Sequence, residues 1–394
     1  MTFKMATACL LALIPLVRAQ QPDVRIYPRP REDTKLAVAN FVPHTLATQE
    51  TESVLKVFDQ VLWGDLQFSA FFEMPSKSFY PLKPLRAPQD VNFENWQVPT
   101  LDADFLVFGN LLLEGQTAIL EAYLYDVKTA HQVLGKRYTI ADSTMVRRVA
   151  HEFADQIVFQ LSAATSRGVA RTQIAFASLK AGSKEIYLMD YDGSNQRTIT
   201  ANGGLNKFPA WLFDNSKLAF ITKLPQSPRW ELWIQGLQGG RKVMPMPTSY
   251  VSSPSFSPDG DRIAFSSRDA TRVDADVYYA LVNTQNRTNL TNHPSIDTSP
   301  TWSPTGRQIA FISDRSGSPQ LWLMDSDGTN LQQLVTEGGH CDSPDWSPDG
   351  TRIVYSSHLG GQFNNLFVLP VKGGEPYKMT FGEWDHFHPR FSPD

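Results

Sequence analysis

The sequence predicts a small α/β domain followed by an all-β propeller. Two markers predict the propeller. A phrase of the Ile-Ala-Phe type begins at Ile174, Leu218, Ile263, Ile309 and Ile353, at intervals of 44, 45, 46 and 44 residues. The aromatic of a Pro-x-Trp/Phe phrase falls at Trp211, Phe256, Trp302, Trp346 and Phe391, at intervals of 45, 46, 44 and 45. Self-similarity at about 40–45 residues is the period of a four-stranded propeller blade. A third observation predicts the smaller domain: residues 34–166 carry no such repeat and alternate strand-like with helix-like stretches.

The first nineteen residues read as a secretory leader. Lys4 precedes the apolar run 5–17, and Val17 and Ala19 occupy the small-residue positions of a cleavage site. The run is too short to span a bilayer well. Cleavage after Ala19 removes Lys4 and Arg18 and shifts the net charge from −4 to −6. It also removes Cys9 and leaves Cys341 alone, so no disulfide within the chain is expected. The chain lacks a basic block, which argues against nucleic acid or an anionic membrane surface as the main partner.

Residues 20–33 form a tail with three prolines, three arginines and few apolar groups, expected to be flexible when free. Within it "VRIY" alternates like a strand and a proline follows, a pattern that suits addition to another protein's sheet edge. In the α/β domain, expected at 34–166, strands are predicted at 34–42, 103–115 and 117–133, the last with a turn near Lys128–Thr129. Helical spacing of Val54, Leu55, Val57, Phe58, Val61 and Leu62 predicts a helix over 49–69. A second amphipathic helix is expected over 143–163 with Ser143 as its cap. The Pro-rich stretch 75–100 is expected to be a surface loop.

The propeller is expected over 167–394. One period reads as four strands: 299–303, 307–314, 320–325 and 331–336, with an Asp-Gly hairpin turn in "SDGTN". The first repeat lacks a Pro-x-Trp strand, and the chain closes on "HPRFSPD", which is one. This predicts a five-repeat ring closed by the C-terminal strand, which would cover the otherwise open edges.

The combination of "RTQIAFAS", "MDYDGSNQRTIT", the WSPDG-type repeats and the closing "HPRFSPD" resembles the TolB family, periplasmic propeller proteins of the Tol–Pal system. The family's ring has six blades, so six blades stand as the alternative to the five counted. The resemblance implies a monomeric periplasmic adaptor that supports outer-membrane integrity and envelope constriction during division. It implies that the lipoprotein Pal binds loop residues just before the Pro-x-Trp/Phe strands, which match Tyr250, Ser253, Thr298 and Ser299 here. It implies that the inner-membrane protein TolA binds the tail, at Val24, Arg25 and Ile26.

No enzyme constellation accompanies the repeats. There is no G-x-S-x-G, H-E-x-x-H, P-loop or G-x-G-x-x-G. His340, Cys341, Asp342, Asp385, His386 and His388 offer metal-ligand chemistry, but their spacing matches no standard zinc pattern and they read as polar loop residues. "DYDG" and "DSDG" lack the distal glutamate of a calcium loop and read as hairpin turns. "NRT" and "NLT", at 286 and 289, read as turns rather than glycosylation sites. The expectation is therefore a binding protein without catalytic residues, cofactor, metal or membrane insertion. The alternative is a secreted propeller enzyme, such as a polysaccharide lyase using histidine and a metal. The residues before each repeated proline, Lys207–Phe208, Ser252–Ser253, Thr298–Ser299, Asp342–Ser343 and Phe387–His388, compose a polar ring with aromatic inserts, a composition that suits a wet protein contact.

Overall fold

The computed structural model describes residues 5–6, 34–45, 47–114, 117–142, 144–180, 182–245, 250–268, 272–284, 286–336, 339–359 and 361–393. The leader and the tail that carries Val24, Arg25 and Ile26 lie outside these residues, apart from Met5 and Ala6. Internal contacts group the chain into two units that divide after Thr172.

In the first unit the sheet runs Phe72–Glu73, Thr34–Val38, Phe105–Glu114, Thr117–Asp126 and His131–Ile140, and Val42–Pro43 also pairs with Phe105–Glu114. Thr34–Val38 lies parallel to its central neighbour, and the last three long strands form an antiparallel meander. Helix α1 spans Gln49–Phe68 and helix α2 spans Met145–Leu161. Thr48 caps α1: its hydroxyl accepts the Thr51 amide at 3.2 Å, and the Thr51 hydroxyl accepts the Thr48 amide at 2.9 Å. The buried stripe Leu55, Phe58, Val61, Leu62 and Leu66 keeps α1 on the core. Asp65 of α1 meets His151 of α2 at 2.8 Å, with both side chains nearly fully buried.

Two parts of this unit differ from expectation. His131–Ile140 is a full strand whose residues are mostly exposed, so its polar sequence gave no periodic signal. The stretch 75–100 holds three short 3₁₀ turns and buries Trp96. Ser143, the expected cap of α2, lies outside the described residues; Thr144 occupies the N-cap position and bonds through its amide to Asp142 at 2.8 Å.

The second unit holds five repeats of antiparallel strands. The first contributes Gln173–Lys180, Ser183–Asp190 and Arg197–Thr198. The next four contribute complete sets of four, beginning at Leu205–Trp211, Tyr250–Phe256, Asp297–Trp302 and Cys341–Trp346. The Ile-Ala-Phe strand is second in each set. Ile263–Ala264–Phe265 and Ile309–Ala310–Phe311 are wholly buried. Successive residues point to opposite faces, so each sheet is covered on both sides by its neighbours. Burying one such Ile or Phe contributes about 1.5–3 kcal/mol. Repeat-to-repeat hydrogen bonds recur beside this packing. The Trp302 amide donates to Ser255 Oγ at 3.2 Å, and Trp346 Nε1 donates to the Thr301 carbonyl at 3.2 Å.

The expected closure is corrected here. Among the described residues Arg390–Phe391 pairs with Met5–Ala6, part of the segment expected to be cleaved as a leader, and not with the first repeat. Among the described residues, Gln173–Lys180 has a strand partner on one edge only. Ile174, Ala175 and Phe176 are half-buried, where their counterparts in later repeats are wholly buried. The physical reason lies in what fixes the last strand. It is held laterally on the fifth repeat, where the Phe391 amide donates to Asp345 at 2.8 Å and Arg390 meets the same carboxylate at 3.4 Å. The repeat dictates how each blade sits on the next, whereas closure depends on the angle accumulated around the whole ring. The described sheets therefore do not form a closed ring.

Candidate partner-binding face of the propeller

The first strand of each complete repeat is interrupted at one equivalent place. Register slips between Lys207 and Ala210, Ser252 and Ser255, Thr298 and Thr301, and Asp342 and Asp345. Each slip brackets a residue followed by proline. That residue is left-handed every time: φ is 54° at Phe208, 51° at Ser253, 53° at Ser299 and 52° at Ser343. His388, before Pro389, repeats the conformation at 53°. None is glycine, so each holds a backbone that costs about 1–2 kcal/mol for an L-residue. Proline disfavours the right-handed α region for the residue before it, and the bulge re-aims that residue's side chain. Equivalent positions in successive blades face the same side, so these five residues share one face of the propeller.

Neighbouring repeats are linked there. Ser299 Oγ donates to Asp342 Oδ1 at 3.3 Å, and the same oxygen accepts the Ser343 amide at 2.7 Å. Ser343 Oγ and His388 Nδ1 share a hydrogen bond of 2.7 Å. Desolvation holds the His388 imidazole below its ordinary pKa, helped by Arg390 and Lys184 and opposed by Asp342. The chain Ser299–Asp342–Ser343–His388 thus ties the fourth repeat, the fifth repeat and the last strand together.

The residues expected to bind Pal fall on this face. Tyr250 begins its strand, is more than one-third exposed, accepts the Ser252 hydroxyl at 2.8 Å and lies 5.9 Å from the Arg268 guanidinium. Ser253 and Ser299 are half-buried at bulge positions, and Thr298 pairs with Ile312 beside the second of them. Tyr250–Phe256 and Asp297–Trp302 pack side by side, so the two pairs stand in adjacent blades.

Around Phe387 and Lys207, both already in the ring of residues before proline, stand residues on the connecting segments that were not singled out by sequence. Phe381, Trp384 and Phe387 are exposed on the segment before the last strand. Lys207 and Lys223 flank the Trp230 ring at 5.3 and 5.9 Å. The run of aromatics in "TFGEWDHFH" was the available signal for the first group. Nothing local pointed to the second, which forms between two strands and the loop that ends at Trp230.

The metal-ligand candidates do not converge. Cys341 is buried, donates weakly to Gln320 at 3.5 Å, and has its thiol pushed up to about 12 by burial. His340 meets the His358 ring edge at 5.1 Å, while Asp385 accepts both the amide and side-chain nitrogen of Asn364. Among the described residues these six do not gather three ligand atoms within reach of one another. The Asp-Gly turns are satisfied internally: Asp192 accepts the Ser194 amide at 2.9 Å and Asp327 the Thr329 amide at 3.0 Å. Asn289 donates to Asp276 and to the Tyr278 hydroxyl. No described helix is long and apolar enough to cross a membrane.

A family model described as the TolB β-propeller domain matches residues 162–394. The chain is 30% identical over 338 residues to the Tol-Pal system protein TolB of Desulfosudis oleivorans, covering 84% of this chain and 64% of that relative. It is 29% identical over 289 residues to the Tol-Pal system protein TolB of Wolinella succinogenes, covering 71% and 67%. The chain thus spans just under two thirds of the first relative's length. The crystal structure of TolB from Acinetobacter baumannii shares the fold, with a TM-score of 0.74 at 22% identity over 90% of this chain and 85% of that one.

Proposed function

The chain belongs to the TolB β-propeller family, and on that premise we propose that it is a periplasmic adaptor of a Tol–Pal system that binds proteins and performs no catalysis. Its propeller face takes the lipoprotein Pal, with Tyr250, Ser253, Thr298 and Ser299 in the contact. The tail residues Val24, Arg25 and Ile26 take TolA. The periplasmic placement rests on the leader-like first nineteen residues and on relatives named as Tol-Pal system proteins.

One observation carries this reading: five equivalent non-glycine residues on one face are held left-handed before proline. Strained backbone of this kind persists where the surrounding structure over-determines it, and it concentrates at functional sites. The exposed Phe208, Tyr250, Trp384 and Phe387 supply aromatic anchors of the sort that dominate protein contacts. The scattering of the six metal-ligand candidates weighs against the lyase alternative.

The test is a titration of the mature chain with the purified soluble domain of its own Pal. Ser253→Arg or Thr298→Arg should weaken binding by at least tenfold, about 1.4 kcal/mol, with an unchanged melting temperature. Unchanged affinity sinks the site, and a fallen melting temperature assigns these residues to stability instead. Deleting residues 20–28 should abolish TolA binding and spare Pal binding. Native TolA affinity in that deletion reduces the tail to a linker.

A further inference from the structure

A second candidate site lies wholly within the α/β unit. A cleft of about 650 Å³ opens between one face of α1 and the chain joining Thr34–Val38 to Val42–Pro43. That volume falls inside the range of sites for small molecules, about 300–1,000 Å³. Leu55, Asp59 and Trp63 project from α1 at spacings of four residues, so they share one stripe. Phe41 forms the opposite wall, and Lys77 enters from the 3₁₀ turn Lys77–Phe79.

The walls are built rather than incidental. The Phe41 ring packs on Phe58 at 4.7 Å and on Phe153 at 6.5 Å. It lies over Gly109, where a Cβ would stand 2.2 Å from the ring. The Phe41 amide donates to Asp59 Oδ1 at 3.1 Å, which holds the carboxyl facing the cleft. The Lys77 ammonium sits 4.7 Å from the Trp63 ring centre and donates to Asn40 Oδ1 at 2.5 Å.

Asp59 and Lys77 line the same cleft, and among the described residues no ion pair within 4.0 Å joins them. Asp59 Oδ2 accepts no hydrogen bond from the described residues, and Lys77 keeps donors beyond the one given to Asn40. Each favours the charged form of the other through space, without direct contact. Burial pushes the Asp59 carboxyl up to about 7, against the Phe41 amide and Lys77, and burial lowers Lys77. Both shifts report burial that outweighs the attraction between the two groups. Two such groups beside apolar and aromatic walls suit a ligand that carries both opposite charges and an apolar body.

We propose that this cleft binds a small zwitterion of amino-acid or short-peptide size, its ammonium at Asp59, its carboxylate at Lys77 and its apolar part between Phe41, Leu55 and Trp63. Glu52 and Lys56, exposed on the same stripe, add one further charge of each sign. This site is independent of the propeller face, so Pal binding should be untouched by changes here.

The probe is leucyl-leucine, titrated calorimetrically into the mature full-length chain at neutral pH and low salt. Expected is saturable binding in the millimolar range or tighter. N-acetylation or C-amidation of the dipeptide should each weaken it by about tenfold. Asp59→Asn should erase the preference for the free ammonium while retaining that for the carboxylate, and Lys77→Met should do the reverse. This crossed pattern distinguishes recognition from a general loss of structure, and the modified dipeptides test it on unaltered protein. Absence of saturable binding to the unaltered chain overturns the proposal. So does binding that ignores acetylation and amidation, or affinity unchanged by both substitutions.

Discussion

Replacing His151 by alanine should destabilise the α/β unit more than any loss of packing accounts for. His151 Nδ1 lies 2.8 Å from Asp65 Oδ2, and the two side chains retain 4% and 2% of their surface. A carboxylate so placed has little access to water. Removing one member of a buried pair costs about 3–5 kcal/mol, because the remaining group loses its nearest partner. Replacing both by leucine removes that charge, so the double variant should be less damaged than the sum of the singles, with a coupling of about 2–3 kcal/mol. Both described α-helices lie in this unit, so helical circular dichroism follows its unfolding separately from the propeller's. With a urea slope of about 2 kcal/mol per molar, a loss of about 4 kcal/mol moves the midpoint down by about 2 M. A His151→Ala shift below about 0.5 M, or a coupling below about 0.5 kcal/mol, would refute the view that the two buried side chains depend on each other.

Three further outcomes follow from the geometry. Asp59 keeps its proton to about pH 7 in the folded state and releases it near 3.8 when unfolded, so its contribution to stability is lost as pH rises between those values. Asp59→Asn should therefore gain stability relative to the parent chain between pH 4 and pH 7 and hold the gain above; a difference independent of pH in urea titrations removes the assignment. Ser253→Gly combined with Ser299→Gly should relieve about 1–2 kcal/mol of backbone strain per site, less about 0.5–1 for the freer unfolded chain. A rise in the propeller's melting temperature with weaker Pal binding is expected, and a fall speaks against strain at these positions. Cys341, with its thiol at about 12, should resist iodoacetamide in the native chain and react on denaturation; rapid native labelling, read by mass, contradicts its burial.

The sequence made the repeating elements legible because each strand is covered on both faces. The Ile-Ala-Phe phrase survives as a motif only where every side chain must be apolar. Helix α1 was legible for a related reason, since its core stripe repeats at helical spacing from Val54 to Leu62. The strand His131–Ile140 was not, because its hydrogen bonds come from the backbone and its side chains mostly face water. Ring closure was not legible because a strand's identity does not fix which edge it pairs with, and among the described residues Arg390–Phe391 pairs with Met5–Ala6. At the candidate face, the positions before proline stood out by repetition, but their left-handed backbone did not, since serine, phenylalanine and histidine carry no such preference. The cleft was invisible for a different reason. Asp59 and Lys77 are ordinary surface-type residues in a linear reading, and only the packing of α1 against the Phe41 segment sets them over one cavity.

The recurring left-handed residue before proline also bears on how such a protein changes over generations. Phenylalanine, serine and histidine occupy the same backbone state at different blades, so the conformation is imposed by the strand around it rather than by the residue itself. At Phe208 or Ser253 a point substitution alters the group presented on this face while leaving the local backbone as it was, whereas at Ser299, Ser343 or His388 it also removes a link between neighbouring strands. Recognition and folding are thereby placed under separate selection. Under the proposed binding role, such a face would act as a set of interchangeable sockets, able to follow a drifting partner one position at a time without rebuilding the scaffold that carries it.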